Sequence, residues 1–138
     1  MSTQQISIFL QNTTGRLSKV TQALAQSKIN LRAISIADTA DFGILRIIVD
    51  KTEDAVNVLK DSGFTAKLTD VAVVEIDDVP GSLAKLIELF QTSDVNIEYL
   101  YASLESISGK AVVIIRLEDH LKGLKIIKDN GFTIVEKF

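Results

Sequence analysis

The chain contains one pattern of residues twice, and this internal repeat limits the folds that are possible. The repeated segments are 12–17 (NTTGRL) with 78–83 (DVPGSL), 29–31 (INL) with 95–97 (VNI), and 60–65 (KDSGFT) with 128–133 (KDNGFT). The first two pairs are 66 positions apart and the third pair is 68 positions apart. The offset therefore changes by two residues between about positions 37 and 46, where we expect a loop of different length. A repeat of this size exceeds most solenoid units and has the length of a small domain.

We therefore predict two modules, a first module of residues 1–69 and a second module of residues 70–138. Each module alone would bury only a marginal core, because a chain of under 70 residues keeps much of its surface exposed. Only residues 69–71 remain as a linker, so we expect the two modules to be held in a fixed relation.

Each copy shows the same order of hydrophobic patterns. Apolar residues alternate in the strands and recur at helical spacing in the helices, and glycine follows the second helix of each copy, where a C-terminal cap belongs. In the first copy we predict strands at 6–10, 31–37, 44–49 and 64–68, with helices ending near 27 and beginning near 52. In the second copy we predict strands at 72–76, 97–104, 111–117 and 132–137, with helices at 80–91 and 119–128.

This order is β-α-β-β-α-β, the split βαβ or ferredoxin-like topology. The predicted fold class is α+β: two tandem ferredoxin-like modules whose antiparallel sheets pack together.

Composition excludes several classes of function. The chain has no cysteine, a net charge of −3 and no basic stripe, so we expect no thiolate metal site and no nucleic-acid partner. The predicted third strand of each copy carries no aromatic residue on which a base would stack. No apolar run approaches the roughly 20 residues that span a bilayer, and the N-terminus does not resemble a targeting segment, so we expect a cytoplasmic protein without membrane contact.

Catalytic chemistry is also not expected from this sequence. His120 is the only histidine, and its charged neighbours indicate an exposed surface residue rather than a general base. No nucleophile, base and orienting group can be combined into a site. We predict a protein that is not an enzyme, with no catalytic residue, no metal and no cofactor.

The repeated motifs resemble those of the ACT-domain family, the amino-acid-sensing regulatory modules of biosynthetic enzymes. The resemblance lies in Asp78-Val79-Pro80-Gly81-Ser82-Leu83 after a strand, followed by Val95-Asn96-Ile97 at the entry to the next strand. The first copy differs in having Thr14 where proline is usual. The resemblance covers nearly the whole chain and implies a free-standing tandem ACT protein that binds a free amino acid between modules.

A zwitterionic amino acid needs donors for its carboxylate and an acceptor for its ammonium group. The first turn of a helix supplies free N–H groups, glycine permits close approach, and asparagine offers both a donor and an acceptor. Arg16, near a helix N-terminus, is a candidate to meet an anion. The candidate ligand-binding residues are Asn12, Thr14, Gly15, Arg16, Leu17, Asn30, Asp78, Pro80, Gly81, Ser82, Leu83 and Asn96.

Each of these residues also has an ordinary structural explanation. Asn12 and Asp78 are typical helix N-caps, Pro80 is typical of a first helical position, and Asn30 and Asn96 are typical of turns. Two functions therefore remain open. The first is a regulatory sensor whose effector is a free amino acid; the second is a ligand-free interaction module. The partner in either case is a second copy of the chain or a metabolic enzyme.

Overall fold

The computed structural model describes residues 3–38, 41–104 and 108–136. Strands and helices alternate as the repeat predicts. The elements are β1 (Thr3–Gln11), α1 (Arg16–Gln26), β2 (Leu31–Asp38), β3 (Phe42–Val49), α2 (Thr52–Asp61), β4 (Thr65–Asp77), α3 (Ser82–Thr92), β5 (Ile97–Ala102), β6 (Lys110–Leu117), α4 (His120–Asp129) and β7 (Thr133–Ile134). One compact unit comprises Gln4–Thr69, and a second comprises the chain from Asp70 onward together with Thr3. We keep the names first module and second module for these two units.

In the first module, β3 lies between β1 and β2 and is antiparallel to both. Ile6 faces Ile47 across the first pair of strands, and Leu31 faces Val49 across the second. Alternate residues of each strand face the two helices, because successive side chains of a strand point to opposite faces. The resulting core consists of Ile6, Ile8, Leu10, Val20, Leu24, Ile29, Leu45, Ile47, Val49, Ala55, Leu59 and Phe64.

The second module repeats this arrangement with β6 between β4 and β5. Both pairs of strands are antiparallel: Ala72 faces Ile115 across the first pair, and Ile97 faces Leu117 across the second. The short β7 pairs with β4 on its other side. Its core consists of Ala72, Val74, Ile76, Leu86, Phe90, Val95, Val113, Ile115, Leu117 and Ile127. The predicted α+β class and the repeated β-α-β-β-α-β order are thereby confirmed.

The two-residue change of offset lies in the connection between the middle strands of each module. β2 and β5 begin 66 positions apart, at Leu31 and Ile97, whereas β3 and β6 begin 68 positions apart, at Phe42 and Lys110. The second module therefore has the longer connection, as the change of offset predicts.

The predicted linker and the bounds of one predicted strand are wrong. The strands predicted at 64–68 and 72–76 are one continuous strand, β4, and the expected linker at residues 69–71 is part of it. Val71 is fully buried, so the extended backbone continues through this segment because it buries an apolar side chain. The strand predicted at 132–137 is reduced to Thr133–Ile134 within the part of the chain that the structure describes.

A glycine in α4 lies in close contact with the sheet of the second module. A Cβ built on Gly123 would lie 2.1 Å from Cδ1 and 3.3 Å from Cγ of Leu117. Leu117 is fully buried, so its side chain has little room to move away. The equivalent position of the first module is Ala55, which is also fully buried. The two helices therefore sit on their sheets through different residues.

We expect Gly123→Ala to lower the free energy of unfolding, by about 1 kcal/mol or more, because overpacking a dense core outweighs the gain in helix propensity. Urea denaturation of the whole protein measures this change. Asn57→Ala, at an exposed position of α2, is the control that gains helix propensity without a new contact. A Gly123→Ala protein stabilised as much as the control would contradict the packing argument.

Candidate functional site

Both strand–helix loops end in a glycine with the same unusual backbone conformation. Gly15 precedes α1 with φ 90° and ψ −11°, and Gly81 precedes α3 with φ 90° and ψ −10°. A residue with a Cβ adopts this left-handed region only at a cost of roughly 1–2 kcal/mol. The glycine of each repeated motif is therefore required by the turn, and the two loops have matching geometry.

The helices that follow these glycines have no side-chain cap. The structure shows no capping hydrogen bond from a side chain at either helix start, and the residue at the cap position is the glycine itself. The prediction that Asn12 and Asp78 act as N-caps is therefore wrong. The prediction that Pro80 begins the helix is also wrong, since α3 begins at Ser82 and Pro80 lies in the preceding turn.

Asn12 and Asp78 instead attach the loop to a neighbouring hairpin. The backbone N–H of Asn12 donates to the carbonyl of Asp41 at 3.0 Å, and that of Asp78 donates to the carbonyl of Gly109 at 3.0 Å. Both side chains are exposed to solvent. Each loop is thereby fixed through its backbone, and the polar side chain of its first residue stays available.

The first turns of α1 and α3 present backbone donors to solvent. Lys19 N–H is the donor to the Gly15 carbonyl at 3.0 Å, so the earlier amides of Leu17 and Ser18 have no carbonyl within the helix to which they can donate. The same holds for Leu83 and the residue after it, because the Gly81 carbonyl accepts from Lys85. Together with the helix dipole, such amides form a site suited to a carboxylate.

The predicted loop residues lie around these amides at the surface. Those exposed are Asn12, Thr14, Gly15, Leu17, Asp78, Pro80 and Gly81, and those half-buried are Arg16, Ser82 and Leu83. The structure thus places the loop candidates of each module in one cluster.

Arg16 has a structural contact that the sequence did not indicate. Its guanidinium carbon lies 4.8 Å from the centre of the Phe64 ring, and the Lys19 ammonium lies 5.6 Å from the same centre. Cations over an aromatic face are attracted by the ring's negative face. This contact holds the guanidinium beside the start of α1. The second module has Ser82 at the position of Arg16, so its loop has no such cation.

One of the two adjacent acidic residues at the second loop is paired with a lysine. Asp77, which precedes Asp78, forms an ion pair with Lys110 on the adjacent strand. The hydrogen bond from the Lys110 ammonium, together with its charge, holds the pKa of the Asp77 carboxyl below its usual value. The acidic character of this loop thus belongs mainly to Asp78.

Asn30 and Asn96 lie before β2 and β5 and are exposed. The N–H of Asn30 donates to Oδ1 of Asp50 at 3.0 Å, and its carbonyl accepts from the N–H of Asp50 at 3.2 Å. The Asn96 carbonyl accepts from the N–H of Glu118 at 3.0 Å. These bonds hold the backbone of each asparagine and leave its amide side chain at the surface.

The strand register places the asparagines far from the loop of their own module. Asn12 follows Gln11, which faces Phe42 at the start of β3, whereas Asn30 precedes Leu31, which faces Val49 at its end. An eight-residue strand is about 23 Å long. A free amino acid is much shorter than this distance. Within one module, a ligand can therefore contact the loop or the asparagine, but not both.

A cavity of about 680 Å³ opens beside Asn96 in the second module. It lies between the C-terminal end of α3, the start of β5 and the start of α4. The lining residues are Ile87, Phe90, Gln91, Asp94, Val95, Asn96, Ile97, Glu118, Asp119 and Lys122. Asn96 is the only predicted site residue among them; Val95 and Ile97 flank it in the repeated motif, and the other lining residues lie outside the repeated motifs.

His120 differs from the sequence expectation of an exposed surface residue. It is half-buried, and both ring nitrogens are shielded from solvent without a hydrogen-bond partner among the described residues. Burial lowers the pKa of His120 below its ordinary value of 6.5, against the opposing charge of Asp70. The expectation is therefore wrong, because the charged neighbours in sequence do not surround the ring in space.

The described ranges contain neither a metal-binding cluster nor a membrane-spanning helix. No group of three or more histidine or acidic side chains within 3–38, 41–104 and 108–136 is arranged to hold a metal ion. In the same part of the chain, none of the helices is both long and apolar enough to cross a membrane.

Comparison with known proteins identifies the family. The profile described as an ACT domain pair matches residues 1–137. The chain belongs to the ACT domain pair family. The resemblance seen in the sequence is confirmed, and ACT domains are regulatory modules rather than catalytic ones.

Solved structures agree with this assignment. Protein BT0572 from Bacteroides thetaiotaomicron is 40% identical, with a TM-score of 0.92 over 98% of this chain and 92% of that one. The ligand-free regulatory subunit of aspartate kinase from Thermus thermophilus shares the fold, with 23% identity and a TM-score of 0.68 over 93% of this chain and 91% of that chain. The corresponding Thermus flavus subunit is also 23% identical, with a TM-score of 0.64 over 94% and 92% of the two chains. No curated protein matches the chain.

Replacing either loop glycine by alanine tests the left-handed turns. We expect Gly15→Ala and Gly81→Ala to lower the free energy of unfolding by similar amounts, roughly 1–2 kcal/mol, since neither site has an atom within 4 Å of the added Cβ. Gly15→Asn and Gly81→Asn should lose less stability than the alanine variants, because asparagine tolerates the left-handed conformation better. Unchanged denaturation midpoints for both alanine proteins would show that the turn does not require glycine.

The burial of His120 predicts a pH dependence of stability. The unfolded chain takes up a proton near pH 6.5, whereas the folded chain resists protonation until lower pH. The free energy of unfolding should therefore fall as the pH decreases below about 6.5, and His120→Gln should remove this component. The ring-proton NMR signal of His120 should titrate below pH 6.5, and a midpoint at or above that value would contradict the assignment.

Proposed function

We propose that this ACT domain pair is a free-standing regulatory sensor that binds a free amino acid at an interface between modules. The observation that carries the proposal is the repeated loop geometry. Gly15 and Gly81 leave the first-turn amides of the following helices without a side-chain cap. Such amides suit the carboxylate of an amino acid.

The two ends of a module would supply complementary parts of the site. A loop cluster binds the carboxylate of the ligand, and the Asn30 or Asn96 amide of a different module binds its remaining polar groups. The separation of about 23 Å along β3 or β6 supports this division, because one module cannot bring both groups to one ligand.

The two loops are suited to different groups of the ligand. The first loop combines helix amides with the Arg16 guanidinium, which Phe64 holds at the helix start. It favours a carboxylate. In the second loop Asp78 adds a negative charge and Pro80 lacks an N–H, so this loop favours an ammonium group. We propose the first loop as the principal carboxylate site.

The regulatory role would act through a protein partner. We propose a second copy of the chain or a metabolic enzyme as that partner, in the cytoplasm. No catalytic step is part of this function, since the loops offer binding groups but no base or nucleophile positioned for chemistry.

One observation favours the alternative of an interaction module without a small ligand. Phe9 and Phe42 are 50% and 52% exposed, and the register places both on the same face of the first module's sheet. The equivalent residues of the second module are Glu75 and Lys110. An apolar patch confined to one copy is suited to a protein contact.

A thermal-shift screen with each of the common amino acids separates the two functions. An effector should raise the stability by roughly RT ln(1 + [L]/Kd), about 2.7 kcal/mol at a hundredfold excess over Kd. A protein whose melting temperature responds to none of them would overturn the sensor and leave the interaction module.

Asparagine variants then test the location of the site. We expect Asn30→Ala or Asn96→Ala, whichever lies in the occupied site, to weaken binding by about 1–3 kcal/mol with little loss of stability, because a polar group of the bound ligand loses its partner. Asn57→Ala on α2 is the matched control and should bind as the parent protein does. Calorimetric affinities unchanged in both asparagine variants would place the site elsewhere.

Arg16→Ala tests the carboxylate assignment. We expect weaker amino-acid binding in this variant, because the guanidinium charge beside the helix amides is lost. Phe64→Leu keeps the arginine but removes the aromatic face, and should weaken binding less. Unchanged amino-acid affinity in Arg16→Ala would show that Arg16 does not bind the carboxylate and contributes only its contact with Phe64.

A further inference from the structure

The turn at Asp94, beside the cavity, has a counterpart in the first module whose carbonyl accepts a hydrogen bond from a lysine of the chain itself. Lys28 and Asp94 are equivalent residues, each following a helix in the left-handed conformation, with φ 58° and φ 55°. In the first module the Lys51 ammonium donates to the Lys28 carbonyl at 3.3 Å. This contact shows that the turn can accept a primary ammonium group.

The second module has no lysine at the position of Lys51. The residue equivalent to Lys51 is Asp119, whose carboxylate is engaged at the start of α4, where it accepts from the N–H of Lys122 at 3.2 Å. The turn residue itself changes from Lys28 to Asp94. Two positive charges of the first module are thus two negative charges in the second.

The surroundings of Asp94 form a cavity with an apolar floor and an acidic rim. Phe90 and Val95 are buried core residues that line it, together with the apolar side chains of Ile87 and Ile97. Its charged lining consists of Asp94, Glu118 and Asp119 against Lys122. A volume of about 680 Å³ is within the range of small-molecule sites.

We propose that this cavity binds a small organic cation, a primary ammonium group carried on a short apolar chain. The ammonium group takes the place that Lys51 has in the first module, on the carbonyl and carboxylate of Asp94. The apolar chain lies over Phe90 and Val95. The cavity does not include the loop clusters at Gly15 and Gly81, but it shares Asn96 with the proposed amino-acid site.

The test uses the whole protein and three probes of the same length: n-pentylammonium, n-pentanoate and 1-pentanol. We expect n-pentylammonium to bind saturably with a dissociation constant of about 1 mM and to shift the amide NMR signals of residues 94–97. The other two probes should bind at least about tenfold more weakly, because they lack the charge that the acidic rim attracts. Added salt should weaken the binding of the cation.

Variants of Asp94 test whether its negative charge is responsible for the binding of n-pentylammonium. Asp94→Lys copies the first module at a backbone conformation that lysine already adopts in Lys28, and should weaken n-pentylammonium binding about tenfold or more. Asp61→Asn, an exposed acidic residue of the first module, is the matched control and should bind as the parent protein does. Folding of Asp94→Lys is checked by its amide spectrum, and Asp94→Asn gives a second, milder test.

Three results would overturn the proposal. They are no shift of residues 94–97 with n-pentylammonium, equal affinity for the three probes, and unchanged affinity in both Asp94 variants. A response of the loop amides to a free amino acid would not alter this outcome, since those amides belong to the other site.

Discussion

The antiparallel register of the middle strand of each module determines where its polar residues can act together. β3 pairs with β1 over Phe42–Ile47 and with β2 over Gly43–Val49. β6 pairs with β4 over Lys110–Ile115 and with β5 over Val113–Leu117. One end of each middle strand therefore meets the glycine loop, and the other end meets the asparagine before the next strand. The chemistry of the protein is divided between these two ends because a strand of this length is stiff and a free amino acid is short.

The equal geometry of the two modules makes their differences informative. The backbone angles at Gly15 and Gly81 are nearly identical, as are those at Lys28 and Asp94. Side chains at matching places nevertheless differ in charge and polarity: Arg16 is matched by Ser82, and Lys51 by Asp119. Duplication thus supplied two copies of one scaffold, and substitution gave each copy its own surface.

The sequence predicted most of the fold because the two copies support each other. A helix or strand pattern that is weak in one copy recurs in the other, and the repeated glycines indicate the turns.

The sequence failed where burial in the folded chain decides the conformation. Val71 extends β4 through the expected linker, and the ring of His120 is shielded by residues distant in sequence. The sequence predicted the wrong helix caps, because a left-handed glycine occupies the cap position and neither Asn12 nor Asp78 caps the helix. The cavity at Asp94 was missed because its lining comes from three elements and only Val95, Asn96 and Ile97 belong to a repeated motif.

The central claim is that free amides after a left-handed glycine receive the carboxylate of an amino acid. Its most direct measurement is the amide NMR spectrum of the protein during titration with each common amino acid. The account predicts that at least one amino acid shifts the amide signals of residues 14–18 or 81–84, together with the side-chain amide of Asn30 or Asn96. Saturable binding that leaves all these signals in place would contradict it.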